Sequence, residues 1–197
     1  LPLDDVDLKD VLQDELGIPV AILGDAAAAT VAEFVTGAAR GFSQGAYVTV
    51  STGIGLGIVV RGTLVSGSSQ QAGELGHIPV DLSENAPICP CGQRGCLECF
   101  ASGSGLVARY DSARSHDTTR PLDARDVIRL AEAGDRTATE VVSQGAHLLG
   151  AALAVFTRLF APEVMVIGGG LAKSRAYVDM AASWLHTILT DAVPDAP

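Results

Sequence analysis

The sequence predicts an α/β or α+β fold. Strand-like segments joined by tight turns fill residues 47–65, and helical stretches alternate with a buried strand from residue 123 onward. The 197-residue length and 48% hydrophobic content provide for a sizeable core.

Val6, Leu8, Val11, Leu12 and Leu16 recur near the helical period, and Gly17 suits a left-handed helix stop. The apolar run 18–23 reads as a buried strand ending at Gly24 and Asp25. The small residues of 26–37 predict a tightly packed helix. Asp25 stands at its start, as an N-cap or as a ligand-contacting residue at a strand end. Residues 47–51 and 57–60 are strand-like, with Thr52, Gly53, Ile54 and Gly55 as the turn between them. Arg61 and Gly62 suit a second hairpin turn. After a polar loop over 66–71, the Gly, Pro and Cys density of 73–99 excludes continuous regular structure. Residues 97–110 read as one helix and 112–121 as a polar, mobile loop. Residues 123–133 read as a helix capped by Asp123, and 138–160 as a long apolar helix ended by Pro162. A buried strand at 164–167 runs into Gly168, Gly169 and Gly170, and residues 177–189 form a last amphipathic helix. No repeat with a period of 20 to 50 residues is visible.

The formal charge of −10, with only Lys9 and Lys173 as lysines and eleven scattered arginines, excludes a grip on nucleic-acid backbone or an anionic membrane by this segment. No signal peptide opens the chain and no uninterrupted apolar run reaches membrane-spanning length, so a soluble cytoplasmic protein is expected. The chain begins at Leu1 inside an amphipathic segment and stops soon after a helix-like stretch, so it reads as a piece of a longer protein.

All four cysteines, Cys89, Cys91, Cys96 and Cys99, lie within eleven positions. Clustered cysteines in a cytoplasmic protein suggest a metal site before disulfides, and zinc takes four nitrogen or sulfur ligands. Cys89, Cys91 and Cys96 share one loop whose turn Gly92 and Gly95 permit. The fourth ligand is Cys99 or His77, and free buried cysteines are the alternative.

The turn containing Gly53, Gly55 and Gly57 follows a strand. It reads as a phosphate cradle or as a plain hairpin, and Gly168 to Gly170 form a second such turn. Glu74, His77 and Glu98 stand beside glycines and the cysteine loop. They are solvated surface groups or hydrogen-bonding partners for sugar hydroxyls.

Three stretches together carry a resemblance: Ala72-Gly73-Glu74-Leu75-Gly76-His77, Cys89-Pro90-Cys91-Gly92-Gln93-Arg94-Gly95-Cys96-Leu97-Glu98, and Ala101-Ser102-Gly103. They resemble the signature of the ROK family, which joins sugar-responsive repressors and sugar kinases on an actin-like ATPase (ribonuclease H-like) fold. Asp25 with Glu33, the Thr52-Gly53-x-Gly55 turn, and Pro162-Glu163 followed by Gly168 to Gly170 agree with it, so the resemblance covers nearly the whole chain.

The resemblance implies zinc on His77, Cys89, Cys91 and Cys96, with Cys99 spare. It implies sugar binding by Glu74, His77 and Glu98, with the two His77 ring nitrogens serving metal and ligand. Asp25 matches the catalytic base that takes the proton of the attacking sugar hydroxyl. Thr52, Gly53 and Gly55 match a phosphate-binding turn, and Gly168 and Gly169 the nucleotide-side glycines. The implied fold is incomplete. Residues 1–43 would end a small lobe, 44–175 would form the large lobe with a zinc loop at 77–98, and 176–197 would return toward the small lobe.

The chain departs from the family pattern in three ways. The opening Asp-Gly-Thr phosphate turn would lie upstream of Leu1 and the closing helix and strand beyond the end, so the segment alone is expected to be inactive. The residue before the catalytic Asp is usually a sugar-contacting Asn, and here it is Gly24. The stretch between His77 and Cys89 is slightly longer. Gly24, the 73–80 phrase and the 125–135 helix resemble actinobacterial-type regulators. The expected function is therefore the sugar-binding effector domain of a regulator whose ligand closes two lobes, with DNA bound only by an N-terminal region upstream. The alternative is an ATP- and Mg-dependent sugar kinase. Either would bind a small-molecule sugar, keep away from membranes and form a homo-oligomer.

Overall fold

The structure, a computed structural model, describes residues 6–68, 71–114 and 122–190. A four-stranded sheet of order β3-β2-β1-β4 organises it, with β1 Gly45–Val50, β2 Ile54–Val60, β3 Thr63–Leu64 and β4 Val164–Gly168. β1, β2 and β3 form an antiparallel meander, and β4 joins β1 in parallel. The turn between β2 and β3 has positive φ at both Arg61 and Gly62, the mirror-image geometry that suits a two-residue hairpin.

The two faces of the sheet follow the alternation of its strands. Ala46, Val48 and Val50 of β1 and Ile54, Leu56 and Ile58 of β2 point into the main core. The opposite face of β2 carries Gly55 and Gly57, and helix α2 (Asp25–Val35) lies directly on it. A Cβ on Gly57 would sit 1.8 Å from Thr30 Oγ1 and 2.9 Å from the Ala26 carbonyl oxygen, so the helix approaches as closely as bare backbone permits.

Below the main core lie α3 (Glu98–Ala101), α4 (Gly103–Ala113), α5 (Ala124–Glu132), α6 (Arg136–Phe160) and α7 (Arg175–Thr190). Helix α6 buries Val141, Val142, Leu149, Leu153 and Phe156. Helix α7 runs beside it in the same direction: Gly145 meets Tyr177, Gly150 meets Ala181, and Arg158 donates to the Ile188 carbonyl. The buried Tyr177 hydroxyl donates to the Ala101 carbonyl at 2.8 Å, tying α7 to α3. No helix among the described residues is long and apolar enough to cross a membrane.

Five local expectations are corrected. The 18–23 run is not a strand: it lies outside the sheet, with Ile18, Ile22 and Leu23 about half exposed. It follows α1 (Leu8–Leu16), which buries no residue among the described ones and ends at Gly17 with φ +64°. Gly24, not Asp25, is the N-cap of α2; Asp25 is the first helical residue. The first hairpin turn is shorter than expected, because Ile54 and Gly55 already pair with Val50 and Thr49. Residues 97–110 are two helices, because extended Ser102 caps the second with its hydroxyl on Gly105 N–H. The helix caps at Asp123 and Asp135 form as side-chain bonds, the former as a reciprocal capping box with Asp126. The loop expected at 112–121 begins later, because Ser112 and Ala113 still belong to α4, and from 115 on it lies outside the described residues.

Candidate functional site

The 77–98 loop folds into a knuckle. Cys89 N–H donates to the Gln93 carbonyl and Gly92 N–H to the Cys89 carbonyl. Bridges pair Ile88 with Arg94 and Pro79 with Cys96. Gly95 has φ +68°, and a Cβ there would stand 1.8 Å from the Asp81 carbonyl oxygen, so the loop closes only with glycine.

This folding gathers His77, Cys89, Cys91 and Cys96, whose ligand atoms all lie within 4.8 Å of one another. Cys89 Sγ is 3.6 Å from His77 Nδ1, and Cys91 Sγ is 3.7 Å from Cys96 Sγ. A tetrahedral zinc ion, with bonds near 2.3 Å to sulfur and 2.05 Å to nitrogen, separates two sulfurs by about 3.8 Å and sulfur from nitrogen by about 3.6 Å. The spacing and the donor set therefore fit zinc. Cys99 lies outside the group, on the opening turn of α3. Burial, with Cys91 and Cys89 as neighbours, pushes the Cys96 thiol up to about 12, so a cation is what would favour its thiolate.

With Nδ1 of His77 on the cysteine side, Nε2 faces Glu74 Oε2 at 3.8 Å. Glu98 stands on the first turn of α3, and its Oε2 accepts from Ile54 N–H at 2.9 Å. The Asp25 carboxylate accepts from Ala26 N–H at 2.7 Å. Asp25, Glu74, His77 and Glu98 converge on one cleft of about 440 Å³, floored by Thr52, Gly53 and Gly55. The cleft therefore offers three carboxylates and one imidazole to a polyhydroxylated ligand.

A second cavity of about 650 Å³ adjoins the cleft, and Ser51 and Thr52 line both. Its walls are Val107 and Ala108 of α4, Arg125, Ile128 and Arg129 of α5, and the turn at 170–174. Sequence reasoning missed these α5 residues. The amphipathic pattern of 124–132 shows that one face meets the core, but not that its neighbour walls a cavity. Gly168 and Gly169 line neither cavity. Gly168 pairs with Thr49 in the sheet, Gly169 with φ +96° closes over the Val50 carbonyl, and Gly170 alone of the three reaches the larger cavity. From that side the Ser104 hydroxyl donates to the Thr52 carbonyl at 2.7 Å, and Gly103 N–H donates to the Ser51 carbonyl at 2.7 Å.

Comparison with known proteins agrees with this geometry. The ROK family model matches residues 1–197. A glucokinase from Halalkalibacterium halodurans is 39% identical over 86% of this chain and 54% of its own. A xylose repressor from Bacillus subtilis is 32% identical over 88% of this chain and 44% of its own. The solved structure of a ROK hexokinase from Thermus thermophilus superposes with a TM-score of 0.83 at 38% identity, covering 95% of this chain and 64% of that one. The chain thus spans about half the length of the curated relatives it matches, and those relatives include both kinases and repressors. With the α/β actin-like sheet, the His and Cys cluster and the family match in agreement, the chain belongs to the ROK family and carries part of its fold.

Proposed function

We propose that this chain is the substrate-binding part of an ATP-dependent sugar kinase. The carrying observation is the junction of the two cavities at Ser51 and Thr52, with Asp25 in the smaller one. The sequence alone leaned toward a regulator. Similarity to a glucokinase at 39% and to a ROK hexokinase at 38% supports the kinase instead.

In this reading the sugar lies in the smaller cleft, with its hydroxyls on Glu74, His77 and Glu98. The nucleotide lies in the larger cavity, and the Thr52–Gly53 turn and Gly55 face its phosphates between the two. Asp25 accepts the proton of one sugar hydroxyl as that oxygen attacks the γ-phosphorus. The bond from phosphorus to the bridging oxygen breaks, and the electron pair leaves on ADP. Magnesium bound with the nucleotide would spread the developing charge. Zinc held by His77, Cys89, Cys91 and Cys96 would be structural, fixing the His77 ring so that Nε2 carries the proton toward the cleft. Residues 1–43 and 44–175 would belong to two lobes that close on the sugar, in a homo-oligomeric protein.

The test is ADP release by the full-length protein with Mg-ATP and a panel of hexoses. Asp25→Asn should lower turnover by about 10²- to 10⁴-fold while calorimetry still detects sugar binding. Turnover that survives the substitution would remove Asp25 from the role of base. Gly24 and the repressor relatives support a second reading, a sugar-sensing regulator that binds DNA through a region outside this chain. DNA released by sugar, without any ADP formation, would select it.

A further inference from the structure

The start of α4 holds the turn between β1 and β2 by its carbonyls. The Ser51 carbonyl accepts from Gly103 N–H at 2.7 Å, and the Thr52 carbonyl accepts from Ser104 twice, from its hydroxyl at 2.7 Å and its N–H at 3.3 Å. A Cβ on Gly103 would lie 2.9 Å from the Ser51 carbonyl oxygen, so a side chain there would crowd the turn. Behind them the buried Ser102 hydroxyl lies 3.0 Å from that of Ser104 and accepts from Gly105 N–H at 3.0 Å. A carbonyl only accepts, so the one Ser104 hydroxyl proton goes to Thr52, and the Ser102 proton goes to Ser104. Peptide units are planar and trans, so a carbonyl held on one side sends the N–H of the next residue to the other. The Thr52 and Gly53 N–H groups are thereby turned away from α4. Neither has a hydrogen-bond acceptor among the described residues, and both residues line the smaller cleft. Thr52 and Ser104 are themselves exposed, so water could serve the Thr52 carbonyl, and burial does not call for the bond.

We propose that Ser104 is a positioning residue for phosphoryl transfer: its hydroxyl fixes the Thr52–Gly53 peptide unit so that Gly53 N–H, and not the Thr52 carbonyl, meets the transferred group. This rests on the kinase reading above. A peptide unit in a tight turn flips by opposite rotations about the bonds on its two sides, and a glycine after it makes both orientations accessible. Flipped, this unit would present a carbonyl oxygen to an anion, which repels it. The Glu98 carboxylate fixes the far end of the turn through Ile54 N–H at 2.9 Å. Among side chains of the described residues, Ser104 alone bonds the Thr52–Gly53 unit. Its hydroxyl sets the donor orientation before substrate arrives, so no reorganisation is needed as negative charge shifts during transfer.

The experiment is steady-state ADP release by the full-length protein with Mg-ATP and the hexose that it turns over fastest, for wild type, Ser104→Ala and Ser104→Thr. Calorimetric binding of the same hexose and thermal unfolding are measured beside it. Ser104→Ala should lower kcat by about 10- to 100-fold, less than the loss on removing an anion-stabilising donor outright, and leave sugar affinity in place. Its melting temperature should stay within about 5 °C of wild type, because the bond is exposed. Ser104→Thr keeps the hydroxyl and should recover most of the lost kcat. An unchanged kcat in Ser104→Ala would overturn the proposal. So would a Ser104→Thr protein as slow as Ser104→Ala, because the hydroxyl would then not be the cause. Loss of kcat, sugar affinity and melting temperature together would overturn it too, by making the bond architectural. Failure of the kinase reading itself looks different: wild type would release no ADP with any hexose, and the role of Ser104 would fall with it.

Discussion

Gly53→Ala isolates one contact that links the fold to the cleft. Nothing in the backbone resists the change, because Gly53 is not among the positive-φ residues. The new Cβ would stand 2.4 Å from Glu98 Oε2 and 3.3 Å from its Cδ, with no backbone atom in the way. An ordinary contact needs about 3.4 Å or more. The carboxylate must therefore swing about 1 Å, out of its 2.9 Å bond to Ile54 N–H. A hydrogen bond to a charged group contributes about 1.5–3 kcal/mol. If Glu98 must hold that position to bind a sugar hydroxyl, the variant should lose about 10- to 150-fold in sugar affinity. The yielding atom is the end of a flexible side chain, so the fold should survive with a melting temperature within about 5 °C of wild type. Calorimetric titration beside thermal unfolding on the full-length protein reads both quantities. Unchanged affinity at unchanged stability would refute the role given to Glu98. Equal loss of both would show that its bond to Ile54 is only architectural.

Three other outcomes follow from the same geometry. Atomic emission should find about one zinc per chain, the complement of a single four-ligand site, and Cys96→Ser should lower both metal content and melting temperature. A metal-free protein with unchanged melting would remove zinc from the structure. Glu163 accepts from the Ser43 and Gln44 N–H groups at 2.9 and 2.8 Å, which hold its carboxyl below the usual range. Its contribution should be present above about pH 4.5 and vanish as the pH falls through the lower native value. Glu163→Gln should therefore flatten the acid limb of thermal stability between pH 5 and pH 3, roughly the span over which a carboxylate titrates, and a limb as steep as wild type would contradict it. Tyr177→Phe would leave the Ala101 carbonyl without its buried donor and should cost about 1–2 kcal/mol, measured by denaturant unfolding. A neutral result would mean that water or a shifted helix takes over the bond.

The sequence showed most where a residue type has one geometric use. Gly17, Arg61 with Gly62, Asp123 and Pro162 mark ends and turns that the structure keeps. The cysteine spacing left two candidates for the fourth ligand, and only the folded loop brings His77 Nδ1 to 3.6 Å from Cys89 Sγ. The errors have a common origin. An apolar run such as 18–23 states that burial is favourable, not what will bury it, and here the sheet takes its strands from residues 45–64 and 164–168 instead. Ser102 was lost inside a helical pattern because its capping bond to Gly105 competes locally with helix continuation. The second cavity needed α4, α5 and the 170–174 turn brought together, which no local pattern encodes.

The bare face of β2 has a consequence for how variants in this protein should be interpreted. Helix α2 rests on Gly57 as on a rail, and its first residue, Asp25, takes its height above the sheet from that contact. A single methyl added at Gly57 projects about 1.5 Å from the strand and would act as a shim under the helix. Displacements of about 1 Å at a reacting group can cost on the order of 100-fold in rate. Alignment of Asp25, the base in the proposed kinase reaction, is thus delegated to a glycine that lines neither cavity, and a lesion there would register in an assay as a defect of chemistry.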